Sequence, residues 1–244
     1  MTITSFEEWL QQVDTDSEDV TKDKDELYQF VKEGYEMFDG SNKVDLTWRM
    51  GRAAFKVSAA AEVAKDVEKQ KKYLKEAEEW LKKALEKDGT NVDANLWMAN
   101  VYGKLSDHLG TKERIAKGKE IQKHLEATIA GRPDDFNAYY TYGRWCIEVA
   151  SLSWMERKIA AVVFDKPPES TYQDAVEKFV KVQELRPGWK ANAYFAAKCF
   201  IQMKQFQEAI KWADLASEME SKDEEDRLIE ADLGSIVKKY AAYR

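Results

Sequence analysis

Ala77-x3-Leu81-x2-Ala84-x4-Gly89 is the stretch that decides the fold, because its spacing of small and bulky apolar residues recurs along the chain. The further copies are Ile121-x3-Leu125-x2-Thr128-x4-Pro133, Ala175-x3-Phe179-x2-Val182-x4-Pro187 and, without a closing Gly or Pro, Ala209-x3-Ala213-x2-Ala216. Positions three and four residues apart lie on one face of a helix, and a following Gly or Pro ends it. We therefore predict repeated helix pairs in which each stretch forms the second helix.

The spacing of these copies predicts a divergent array. Their first residues are 44, 54 and 34 residues apart, and only the last interval equals the period of a tetratricopeptide repeat. Repeats of this type stack on their neighbours and bind partners along the stacked surface. We predict an all-α, tetratricopeptide-type helical-repeat solenoid (an α-α superhelix) that acts as a binding protein and not as an enzyme.

Two departures from a regular array are expected in the second half of the chain. An insertion over 151–165, followed by Lys166–Ser170, separates the two helices of the third repeat, and Ser170-x2-Gln173 predicts a capping box for the helix that follows. After the fourth repeat, apolar residues at helical spacing predict a C-terminal helix that caps the array: Ile229, Leu233, Ile236, Val237 and Tyr240.

The domain prediction separates residues 1–25 from residues 26–244. The first range contains a short helix and an acidic stretch, Asp14–Asp25, interpreted as a flexible linker, with an acidic docking tail as the alternative. The second range is predicted to be a single repeat domain.

Composition excludes several classes of function. The chain of 244 residues has a net charge of −7, which argues against nucleic-acid binding. Neither a secretory signal nor a membrane-spanning run is visible in the sequence, so a cytoplasmic location is expected. Cys146 and Cys199 lie in apolar helical contexts and are predicted to be buried, reduced thiols. No phosphate-binding glycine loop, nucleophile elbow or metal-ligand spacing is found, so we expect no catalytic residue, metal or cofactor.

The most basic stretch of the sequence is the candidate partner-binding surface. The stretch from Lys112 to His124 contains five basic residues and two acidic ones, Glu113 and Glu120, so its net charge is +3. The basic residues are Lys112, Arg114, Lys117, Lys119 and Lys123. We call these five residues the basic patch. Lys112, Lys119 and Lys123 fall on one helical stripe. A patch for an acidic partner is one interpretation, and an ordinary solvated helix face is the other.

A second candidate set lies among aromatic residues of the third repeat. Arg144, Arg157 and Lys158 are close in sequence to Trp145 and Trp154. These cations either face a ligand in a groove or stack on the aromatic rings as structural contacts.

The third repeat resembles the regulator of microtubule dynamics family. The resemblance rests on Tyr142–Trp145, Val149–Ala161 and the turn Phe164–Tyr172 with its Pro167-Pro168, and it extends to Leu46–Ala53, Ala77–Lys87 and Lys117–Pro133. It implies a non-enzymatic protein of the cytoplasm and cytoskeleton that binds microtubules and further spindle or adaptor proteins. Such a protein would act in spindle assembly and chromosome segregation, at spindle microtubules and poles. The alternatives are a scaffold that binds a partner's peptide and a lipid-binding domain at organelle contacts.

Overall fold

The computed structural model describes residues 5–164, 167–221 and 224–244. Within these ranges all regular elements are helices, as predicted. Asp165 and Lys166 of the predicted insertion lie outside the described residues, as do the first four residues of the predicted N-terminal segment. The chain divides into two compact units, Met1–Leu109 and Gly110–Arg244. The predicted single domain over 26–244 remains a prediction.

Over residues 5–109, the described part of the first unit, there are five α-helices and one 3₁₀ turn, Gly40–Asn42. The helices are α1 (Phe6–Glu18), α2 (Lys24–Met37), α3 (Val44–Val63), α4 (Val67–Lys87) and α5 (Val92–Ser106). The first predicted pair is α3 with α4, and the whole signature Ala77, Leu81 and Ala84 is buried on α4. Gly51 of α3 permits the close approach, because a Cβ atom there would lie 2.5 Å from Cγ of Leu81.

The described residues of the second unit form seven α-helices and a terminal 3₁₀ turn, Ala241–Tyr243. They are α6 (Thr111–Gly131), α7 (Phe136–Ala150), α8 (Trp154–Val163), α9 (Tyr172–Leu185), α10 (Lys190–Gln202), α11 (Phe206–Ser217) and α12 (Glu224–Tyr240). The third and fourth predicted pairs are α7 with α9 and α10 with α11. The two helices of the second predicted pair belong to different units, since α5 is in the first and α6 in the second.

The third pair repeats the packing of the first. A Cβ atom on Gly143 of α7 would lie 2.6 Å from Phe179, which occupies the position in its signature that Leu81 has in the first. Signature residues on α6, α9 and α11 are buried like those on α4. The predicted burial of the signature residues is therefore confirmed, and helix pairs form at the first, third and fourth signatures.

The C-terminal helix packs on the last repeat, as predicted. Ile229, Leu233 and Ile236 are buried, and α12 contacts both α10 and α11. The buried carboxylate of Asp226 accepts a hydrogen bond of 3.2 Å from the backbone N–H of Ala191 at the start of α10. This bond satisfies a backbone donor that α10 itself leaves unpaired.

Two local predictions were wrong. The linker was expected from Asp14, but α1 continues through Glu18, because Asp14 pairs with Arg49 and Arg52 of α3. The capping box was expected at Ser170 and Gln173, but the structure forms it one residue later, at Thr171 and Asp174. There the Asp174 carboxylate also accepts the backbone N–H of Thr171 at 2.8 Å, which fixes the helix start.

Candidate functional site: a basic and apolar surface on α6 and α8

The basic patch lies on α6, on the side away from its buried signature. Ile121, Leu125 and Thr128 face the core of the second unit, while Lys112, Lys119 and Lys123 are exposed. Because those lysines are seven and four residues apart, they form one stripe along about three turns of helix. In the described part of the chain, Lys112 and Lys123 have no acidic partner within ion-pair distance.

The other members of the patch are engaged within the second unit. The Arg114 guanidinium pairs with Glu156 of α8 and lies 4.0 Å from the carboxylate of Glu148 of α7. Lys119 Nζ lies 5.2 Å from the ring centroid of Phe164, at the C-terminal end of α8. Lys117 is half-buried. The structure thus brings the basic patch against the insertion, a juxtaposition that the sequence did not predict.

Helix α8 presents apolar side chains to solvent. Trp154 is 70% exposed, Met155 66% and Val162 86%, whereas Ala160 is its only fully buried residue. A capping box between Ser153 and Glu156 fixes its start. Exposed apolar groups concentrated on one short element mark an interaction site more often than an ordinary surface.

The predicted cations Arg157 and Lys158 belong to this exposed helix. The Lys158 ammonium lies 3.7 Å from the Trp154 ring centroid, and Arg157 Nη2 donates a 2.8 Å hydrogen bond to the Ala150 carbonyl. Both side chains are exposed. We use the name α6–α8 surface for the exposed residues of these two adjacent helices, namely the α6 lysine stripe and Trp154, Met155, Arg157, Lys158 and Val162 of α8.

Arg144, the third groove candidate, has structural partners inside the second unit. Its guanidinium donates to Glu225 of α12 at 2.7 Å and to the Tyr140 hydroxyl at 3.2 Å, and it lies 3.9 Å from the Phe195 ring centroid. These contacts join α7, α10 and α12. A ligand at Arg144 would have to compete with all of them.

The exposure of Trp154, Met155 and Val162 was missed by sequence reasoning. Apolar side chains at helical spacing are ordinarily read as core, and the spacing of these three resembles that of any buried stripe. The insertion itself could have indicated this exposure. A helix inserted between the two helices of a repeat has no second helix in that repeat to cover its apolar side chains.

Both thiols are buried, as predicted. Burial raises the pKa of Cys146 to about 11 and that of Cys199 to about 12, so each is a protonated thiol at neutral pH. No grouping of three or more metal-binding side chains occurs in the ranges 5–164, 167–221 and 224–244. None of the helices described in those ranges is long and apolar enough to cross a membrane.

Comparison with known proteins identifies the family. The sequence profile of the regulator of microtubule dynamics protein 1–3 family matches residues 9–241. The chain belongs to this family. It is 33% identical to regulator of microtubule dynamics protein 3 of Rattus norvegicus over 93% of this chain and 47% of that protein. It is 31% identical to regulator of microtubule dynamics protein 1 of Bos taurus over 97% of this chain and 72% of that one.

The family's named members differ in length from this chain. It spans about half the length of the protein 3 relatives that it matches, and the matched region includes all of α6 and α8. Among solved structures, YrrB, described as a tetratricopeptide-repeat protein with an unusual peptide-binding site, aligns with a TM-score of 0.52 at 16% identity. That alignment covers 92% of this chain and 91% of YrrB, and it supports the tetratricopeptide-type fold.

Proposed function

We propose that this chain is a non-enzymatic, microtubule-associated protein that regulates microtubule dynamics, and that it contacts microtubules through the α6–α8 surface. Membership of the regulator of microtubule dynamics family supports the role. The observation that carries the site is the exposed lysine stripe of α6 beside an exposed apolar helix. A microtubule surface is acidic, so positive charge must be concentrated locally on a chain whose net charge is −7.

The proposed setting follows the family. The chain would act in the cytoplasm on spindle microtubules and at spindle poles, in spindle assembly and chromosome segregation. Tubulin, or another protein attached to the microtubule, is the partner. Lys112, Lys119 and Lys123 supply the electrostatic attraction, and Trp154, Met155 and Val162 supply apolar contact area.

Co-sedimentation with polymerised tubulin at low and at moderate salt tests this proposal. We predict pelleting at low salt that falls as salt is added, because ion pairs between solvated groups are screened within about 10 Å at 0.1 M salt. Absence of pelleting at both salt concentrations would contradict direct binding to microtubules.

A further inference from the structure

Helix α1 carries acidic residues at the end where a helix disfavours them. Asp14, Asp16 and Glu18 lie in its C-terminal half, and its last turn has no basic residue. The partial negative charge of a helix C-terminus repels carboxylates by a few tenths of a kcal/mol to about 1 kcal/mol each. Asp16 pairs with Gln12 of α1 and with Lys22, whereas Asp14 and Glu18 have their partners on another helix.

Helix α3 supplies those partners as a row of cations. Arg49, Arg52 and Lys56 are three and four residues apart, so they lie along one stripe. Asp14 Oδ1 accepts hydrogen bonds from Arg49 Nε at 2.9 Å and Arg52 Nη2 at 2.6 Å, and its Oδ2 accepts one from Arg49 Nη2 at 2.6 Å. Lys56 Nζ lies 3.8 Å from the Glu18 carboxylate.

Trp48 of α3 also contacts two of these cations. The guanidinium carbons of Arg49 and Arg52 lie 4.2 and 4.9 Å from the ring centroid of Trp48, which stacks against both. Arg52 is 6% exposed and Arg49 9%, and burial lowers the pKa of Lys56. Buried cations without a carboxylate are costly, so α3 strongly favours an acid at this position.

One carboxylate does not saturate the site. Arg52 Nε is buried and has no hydrogen-bond partner among the residues described, and Asp45 of α3 is 3.9 Å from Arg49. The Asp14 side chain remains 42% exposed, so solvent reaches the carboxylate that bridges the two arginines. An acid arriving from solvent therefore has a route to the position that Asp14 occupies.

Two apolar anchors complete the contact. Trp9 and Val13 are buried, and the indole packs directly on Gly34 of α2, where a Cβ atom would lie 2.1 Å from it. Phe30 and Phe38 flank the indole, each with its ring centroid 5.8 Å away. Anchors one turn apart on an amphipathic helix are the usual basis of helix-in-groove recognition.

We propose that Arg49, Arg52 and Lys56, with the Gly34 pocket, form a docking site for an acidic amphipathic helix of a partner protein, and that α1 occupies this site in cis. The partner helix carries an aromatic residue and, one turn later, an aliphatic residue. An acidic residue directly follows the aliphatic one, and a second acidic residue lies one turn after the first. That pattern is Trp9, Val13, Asp14 and Glu18 in α1 itself. The site lies in the first unit and does not depend on the proposed microtubule contact.

The test uses the full chain and a fluorescent peptide with the sequence of residues 5–19. In the variant Trp9→Ala/Asp14→Asn, α1 loses its anchor and its acid, and we expect amide exchange in α1 to accelerate while α3 and α4 stay protected. The peptide should then bind the variant about tenfold or more tightly than the wild-type chain, because a tethered competitor has been removed. A scrambled peptide and an Asp14→Asn/Glu18→Gln peptide are the controls and should not bind.

Three results would overturn the proposal. The first is that α1 amides stay as protected in the variant as in the wild-type chain. The second is that α1 opens in a variant that keeps its helical circular dichroism, yet the peptide does not bind. The third is that Arg49→Gln and Arg52→Gln, added to the opened variant, leave peptide binding unchanged.

Discussion

Gly51 faces Leu81 so closely that its missing side chain is a packing requirement. A Cβ atom at Gly51 would lie 2.5 Å from Leu81 Cγ and 3.3 Å from the Ala77 carbonyl oxygen, so α3 and α4 would have to move apart. We predict that Gly51→Ala lowers the free energy of unfolding by about 1–3 kcal/mol in urea titrations. Gly103→Ala is the matched control, because nothing lies within 4 Å of that position. The control should stabilise α5 by up to about 1 kcal/mol, and equal effects at both glycines would contradict this packing account.

His124 lies under the basic patch and couples stability to pH. Burial lowers its pKa to about 4, Lys123 and Lys117 act in the same direction, and Glu120 opposes them. Because the pKa of His124 is lower in the folded chain, the unfolded chain takes up the proton at a higher pH. The stability that neutral, buried His124 contributes is therefore fully present above about pH 6.5 and is lost as the pH falls through about 4.

The matching prediction compares wild type with His124→Leu. Between about pH 7 and pH 5 the wild-type chain should lose about 2 kcal/mol more of its unfolding free energy than the variant does. Urea unfolding at the two pH values measures this difference. The same pH dependence in both chains would show that His124 is not responsible.

At the scale of elements, helix pairs were predictable because their signature is local and repeated. The core positions Leu81, Leu125 and Phe179 follow from spacing alone. The extent of α1 was not predictable, since Asp14 joins the helix through partners on α3 that lie 35 and 38 residues away. The place of the basic patch on α6 could be read from sequence, but its contact with α8 could not. That contact depends on how an insertion folds back, for which the repeat provides no template.

Helix α8 provides a prediction that separates stability from binding. Trp154→Ala/Met155→Ala should change the unfolding free energy by less than about 0.5 kcal/mol, because both side chains are mostly exposed. If α8 contributes apolar contact to microtubules, the same variant should pellet less with polymerised tubulin. Val20→Ala/Met37→Ala removes two exposed apolar side chains in the first unit and is the control. Equal pelleting of the two variants would exclude α8 from the surface.

At the scale of the whole molecule, net charge and local charge oppose each other. A chain of net charge −7 is repelled by an acidic polymer at long range, and only a local cluster can reverse this at contact. Salt screens both the long-range repulsion and the local attraction, so the balance between them depends on the ionic strength. The fold makes the cluster possible by burying the apolar face of α6 and turning its lysines outward.

The central claim is that the α6 lysine stripe carries microtubule binding. Co-sedimentation of Lys112→Glu/Lys119→Glu/Lys123→Glu with polymerised tubulin at low salt tests it most directly. The control, Lys72→Glu/Lys75→Glu/Lys87→Glu, makes the same charge change at exposed positions of α4. We predict that the α6 variant stays in the supernatant while the α4 variant pellets nearly like the wild-type chain. Pelleting of the α6 variant at the wild-type level would contradict the claim.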